Sequence, residues 1–217
     1  MKGLLVKDFK LLKLQRNSIF YILIIFFGMA MLSSNVSSSL SFFTFVFSLF
    51  PLNSVSYDEF DNGNAFLFSL PITRTGYVIE KYCFALIINS ISWAFATTLV
   101  MVIAYLKGTN NLYDIFVMAL ALIPVVLITI SVMFPFQLKF GGDKGRVAII
   151  CTFGLVFLVV IALVKISELF HIDIVSIFNN LPVLNLSTFF VLVYIVAFVM
   201  LFISIKISMI IMNKKEF

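Results

Sequence analysis

The chain has 217 residues, of which 62% are hydrophobic and only 12% charged, with a formal net charge of +5 and a mean hydropathy of +1.16. Soluble domains run near about 25% charged residues, and over half of a folded exterior is already apolar. This composition therefore excludes a soluble globular enzyme, a disordered regulator and a nucleic-acid-binding domain. The basic residues form no single patch, and their spread along the chain suits a membrane better than DNA.

In chain order, Met1–Gln15 alternates lysine with leucine. It offers no short apolar region ending at a small-residue cleavage site, so it is not expected to be a signal peptide. On a helix, Leu4, Leu5, Phe9, Leu11 and Leu12 share one side, while Lys7, Lys10 and Lys13 share the other. This pattern predicts an amphipathic helix on the inner leaflet, lysines toward anionic headgroups. Asp8 breaks the pattern among the leucines. It is either a rim position or local cap, or one half of a pair with a basic group such as Arg74.

Six runs reach or approach the roughly 17–25 apolar residues of a spanning helix. They are Ser18–Leu32, Leu40–Val55, Cys83–Leu106, Ile115–Phe136, Val147–Val164 and Phe189–Ile211. The first two are short, and the uncharged serines between them predict a tight helical hairpin. Thirteen of the fifteen Lys and Arg residues fall on one side of the resulting bundle, leaving only Lys107 and Lys165 on the other. The bias toward positive inner loops then places both termini in the cytoplasm. Lys206, inside the last run, is expected to snorkel to the interface. Cys83 and Cys151 read as small apolar fillers rather than a disulfide framework.

The predicted fold is all-α: a polytopic membrane protein in one domain, residues 1–217. Several chemistries are missing from the sequence. There is no GxxxxGK[ST] loop, and residues 141–146 lack its spacing and its hydroxyl, reading instead as a polar turn. One histidine and two apolar-run cysteines do not make a zinc site. Apart from Lys206 the spans carry no ionisable group, only polar ones such as Asn89, Thr97, Thr98 and Ser131. That argues against an ion-driven transporter, a proton pump and an intramembrane protease. Energy for any transport must enter from outside the spans.

The inner loop Tyr57–Tyr82 opens with Asp58, Glu59, Phe60 and Asp61. It continues through Ala65, Phe66, Leu67, Phe68 and Leu70 to a stop at Pro71, and Thr73 or Thr75 can cap the next helix. A short helix with an acidic start and an apolar middle is either a partner surface or a segment seated in the headgroup layer.

Met1-Lys2-Gly3-Leu4-Leu5 with Lys7-Asp8, Tyr57-Asp58-Glu59, Ser69-Leu70-Pro71-Ile72-Thr73-Arg74 and Lys81-Tyr82 together resemble the small six-helix permease subunits of ABC type-2 exporters of Gram-positive bacteria. Some of these export antimicrobial peptides and others phenol-soluble-modulin-like toxins. The likeness covers the whole chain in length and span count, and is carried by the N-terminal helix and the loop.

The resemblance implies a coupling helix within Asp58–Leu70, docked on a separate cytoplasmic ATPase subunit present in two copies. Asp58, Glu59, Phe60, Asp61, Phe66, Leu67, Leu70 and Arg74 would serve that coupling. Lys7, Asp8, Phe9 and Lys10 would belong to an elbow helix. Two permease chains, identical or different, would pack around a path lined by spans one, two and five.

Short re-entrant external helices are implied between spans five and six, where Glu168, His171 and Asp173 would form an external gate or merely a solvated face. No cofactor is expected on this chain, with ATP and magnesium held by the ATPase. The cargo implied is a hydrophobic or amphipathic peptide. Two other classes compete: a non-transporting scaffold or immunity protein that binds a toxin or sensor kinase, and a cofactor-free intramembrane enzyme acting on lipid.

Overall fold

A computed structural model describes residues 2–32, 36–60, 63–108, 112–141 and 186–215, with the isolated positions 147, 150 and 165. Within these residues the chain is all helical: α1 (Lys2–Leu14), α2 (Arg16–Leu32), α3 (Val36–Glu59), α4 (Gly63–Ser69), α5 (Arg74–Lys107), α6 (Leu112–Phe140) and α7 (Leu186–Lys214). Four of them, α3, α5, α6 and α7, are long and apolar enough to cross a membrane. The pair α1 and α2, bent by 63°, makes a fifth if counted as one span. Apart from Val147 and Ile150, the predicted fifth span Val147–Val164 lies outside the described residues, as do the re-entrant segment, Cys151 and the residues Asp61, Glu168, His171 and Asp173.

The predicted hairpin of the first two runs is present as α2 and α3. Its faces meet through aromatic rings, with Phe26 4.6 Å from Phe43 and Phe43 4.4 Å from Phe47. Phe26, Ala30, Leu40 and Phe43 close a core against Ala96 and Val100 of α5 and Ala119 of α6. The small residues at these contacts let the helices approach closely, the usual device where lipid removes the hydrophobic drive between helices. Hydroxyls within the helices bond back to their own turn, as Thr44 Oγ1 does to the Leu40 carbonyl at 2.7 Å. This satisfies them without a partner helix. Tyr82 on α5 instead bonds Ser204 and Ser208 of α7 at 2.5 and 2.9 Å.

α5 corrects the reading of the inner loop. At 34 residues it is about 51 Å long, well beyond a hydrocarbon core of about 30 Å. Thr73 is its N-cap, accepting from the Gly76 N–H at 3.1 Å, and no helix breaker follows before the left-handed Gly108. Residues 74–82 are therefore helix, not loop. Lys81 is a fully buried side chain rather than a loop charge, and the spans are not free of ionisable groups. Cys83, in turn, is exposed and free rather than an interior filler.

The two ends of α5 are tied to other helices. Arg74 donates to the Met212 and Asn213 carbonyls of α7 at 3.2 and 2.7 Å. Lys107 donates to the Ala30 and Met31 carbonyls of α2, both at 2.8 Å. Each cation satisfies carbonyls that a helix C-terminus leaves without partners. The ends of α3, α6 and α7 meet at one joint. There Lys215 donates to Glu59 at 2.6 Å and to the Leu138 carbonyl at 2.9 Å. Gly141 closes α6 with φ +81°, and a Cβ on it would stand 2.7 Å from Glu59 Oε2.

Candidate functional site

The site lies where α1, α3 and α5 converge, and three pairs of residues four apart build it. Leu4 and Asp8 share the inward face of α1, Ser54 and Asp58 that of α3, and Tyr77 and Lys81 that of α5. All six are buried. A four-residue spacing stacks side chains on one helix face, so each helix presents its polar group above an apolar or hydroxyl neighbour.

Lys81 is the hub. Its Nζ lies 2.6 Å from Asp8 Oδ2 and 2.7 Å from Asp58 Oδ2, and it also donates to Ser54 Oγ. An ammonium has three donors, and all three are used. Ser54 Oγ in turn donates to Asp8 Oδ2 at 2.7 Å, and the Tyr77 hydroxyl donates to Asp58 Oδ2 at 3.0 Å. Lys81 Nζ sits 5.2 Å from the centroid of the Tyr77 ring. Lys7 pairs with Asp58 Oδ1 and lies 3.4 Å from Asp8 Oδ1.

Two ammonium groups thus balance two carboxylates. For Asp8, burial pushes the carboxyl up, but the Lys81 and Lys7 charges and the Lys81 and Ser54 hydrogen bonds outweigh it. The net effect holds Asp8 below the ordinary carboxylate range.

Glu80 is the group left over. It is buried against this cluster, and among the described residues neither carboxyl oxygen has a hydrogen-bond partner. It is a third carboxyl group beside two ammonium groups. Among the described residues, no group of three or more His, Cys, Asp or Glu is gathered to hold a metal.

Of the residues singled out from sequence, Lys7, Asp8 and Asp58 come together here. Asp8 pairs with Lys81, not with Arg74, whose guanidinium lies at the C-terminus of α7. Asp58 and Glu59 end α3 instead of opening the loop helix. Asp58 is turned inward, and Glu59 is held by Lys215.

The loop helix α4 divides by face. Leu67 is buried in a core with Leu4, Val55, Tyr77 and Met212, and Phe68 packs edge-on to Tyr77 at 5.6 Å. Phe60 and Phe66 stand 73% and 71% exposed, and Leu70 is also exposed. On α1, Phe9 is partly exposed and meets Phe84 edge-to-face at 5.4 Å, while Lys10 points outward. Sequence reasoning missed Ser54, Tyr77, Glu80 and Lys81. The signal for three of them was the four-residue spacing of a polar pair, Ser54 with Asp58 on α3 and Tyr77 with Lys81 on α5.

A bundle of long apolar helices closed at one end by an internal charge cluster, with one short helix packed beside that cluster, defines a polytopic membrane protein. A family model described as ABC-2 family transporter protein matches residues 3–213, and the chain belongs to that family. It is accordingly the membrane permease component of an ABC transporter, with the ATPase on a partner subunit. No curated protein and no solved structure matches it.

Proposed function

We propose that this permease exports a hydrophobic or amphipathic cargo, a peptide toxin or antimicrobial peptide, across a bacterial plasma membrane, driven by a cytoplasmic ATPase that grips α4. The observation that carries this reading is the two-sided burial of the segment around α4, with Phe60 just before it, Phe66 on it and Leu70 just after it. Phe60, Phe66 and Leu70 face outward at the end of the bundle where Leu67 and Phe68 lock the same segment onto Tyr77. Apolar side chains outside a core mark a partner surface. The excess of Lys and Arg on that side supports a cytoplasmic position for α4 and for both termini.

Force on α4 would reach α1, α3 and α5 together, because Leu67 and Phe68 pack on the residues that frame the charge cluster. ATP binding shifts the permease only so far as the ATPase holds α4 differently in its two states. Two permease chains and two ATPase subunits would complete the assembly, with the cargo path between the permease chains. Among the described residues, the scarcity of charge along the spans beyond the cluster at one end supports an apolar or amphipathic cargo over a sugar or inorganic ion.

Co-purification from native membranes tests the reading. Phe60→Ser with Phe66→Ser should reduce ATPase capture and cargo-stimulated ATP hydrolysis while leaving insertion intact. Undiminished capture and export would remove α4 from the coupling role.

A further inference from the structure

We infer that the bend between α1 and α2 is a binding site for the headgroup of an anionic phospholipid, formed by Lys10, Lys13, Arg16 and Asn17. A groove of about 680 Å³ opens at this bend, lined by these four residues and Leu14. On a straight helix, positions 10, 13 and 16–17 would form a shallow stripe, each about one turn from the next. The 63° bend at Gln15 folds that stripe into a concave surface. The helical hydrogen bonding survives the bend, with the Gln15 N–H on Leu12 at 3.0 Å and the Ile19 N–H on Gln15 at 3.1 Å.

The charges here are unspent. Lys7, Arg74, Lys81 and Lys215, at the same end of the bundle, are held by carboxylates or helix carbonyls. Lys10, Lys13 and Arg16 have no ion pair or hydrogen bond among the described residues, and no carboxylate lines the groove. Three cations converging without an anion call for one from outside. A guanidinium together with two ammonium groups suits the oxygens of a phosphodiester.

The surroundings select the source. Leu14, Phe20 and Tyr21, in and beside the groove, stand 80%, 61% and 64% exposed. Free phosphate has no use for such an apolar border, whereas the acyl chains below a lipid phosphate cover it. The ligand is therefore a phosphate-bearing lipid with net negative charge, held at a fixed place on the permease.

The test uses the full chain, purified in detergent and analysed by native mass spectrometry with phosphatidylglycerol or phosphatidylcholine added. One phosphatidylglycerol per chain should be retained in preference to phosphatidylcholine by roughly tenfold or more, since each cation near an anionic headgroup contributes about one such factor or less. The variant Lys10→Gln, Lys13→Gln, Arg16→Gln should lose that preference. A control with equal charge removed elsewhere, Lys139→Gln, Lys206→Gln, Lys214→Gln, should keep it. Equal loss in both variants would reduce the effect to net charge and overturn the site. Displacement of the lipid by millimolar inorganic phosphate, or retention by the elbow variant at the native level, would overturn it as well.

Discussion

Asp8 and Lys81 are 73 positions apart in the chain and 2.6 Å apart in the structure, with neither side chain open to solvent. Their contact turns an amphipathic N-terminal helix from a float on the bilayer surface into a structural member of the bundle. A buried ion pair is weak evidence of net stabilisation, but removing one partner strands the other charge.

Lys81→Met leaves Asp8 and Asp58 facing each other with only Lys7 between them and the outside. A destabilisation of about 3–5 kcal/mol is expected, read as a large drop in the melting temperature of the purified permease. The further change Asp8→Leu should return part of the loss. A single variant that melts with the native protein would show that the pair is dispensable.

Glu80 should behave in the opposite way. Among the described residues neither oxygen of its buried carboxyl accepts a hydrogen bond, so Glu80→Gln removes a cost rather than a partner. The variant is expected to melt at or above the native temperature, whereas Asp8→Asn melts below it. A Glu80→Gln variant as damaged as Asp8→Asn would mean that Glu80 holds a charge partner of its own.

The cluster also sets an acid limit. Asp8 titrates below its ordinary value of 3.8 in the folded protein, so the unfolded chain binds the proton more readily. Its stabilising contribution is fully present above that ordinary value and is lost as pH falls through the lower folded-state value. Melting curves of the native protein should decline over that acid range, and those of Asp8→Asn should decline less. Parallel curves would assign the acid sensitivity elsewhere.

The two faces of α4 predict separable effects. Leu67→Ala opens a cavity in the core beside Tyr77 and should cost about 2–5 kcal/mol of stability. Phe66→Ser touches an exposed side chain and should leave the melting temperature unchanged while weakening ATPase capture. If both variants change stability alike, α4 has no free face.

Gly141→Ala meets two obstacles, the left-handed φ of +81° and the Glu59 carboxylate 2.7 Å from the new Cβ. The backbone part alone costs about 1–2 kcal/mol. Adding Glu59→Ala should relieve the crowding but not the backbone strain, so the double variant recovers only in part. Full recovery would show that φ is not the constraint.

Much of this was legible in the residues. The hairpin of α2 and α3, the Thr73 cap, the stop before α5 and the oddity of Asp8 among leucines all follow from local patterns, which depend on neighbours in sequence. The partner of Asp8 was not legible in the same way. Lys81 lies eight residues after Thr73 and just before an apolar run, so a count of loop charges assigns it to the cytoplasm. That count does not see that a helix capped at Thr73 meets no breaker and carries Lys81 inward. Asp58 was misread for a related reason. Acidic residues favour helix starts, but here tertiary pairing with Lys7, Lys81 and Tyr77 places it at the end of α3. The outward and inward faces of α4 depend on Tyr77 and Leu4, which its own seven residues do not reveal.

Arg74 and Lys107, the first and last residues of α5, give that helix the character of a strut with a hook at each extremity. One hook seizes the terminus of α7 and the other the terminus of α2, about 50 Å apart. A rod fastened this way opposes sliding of either neighbour along its axis, since a shift of one helical turn would break both carbonyl contacts at that end.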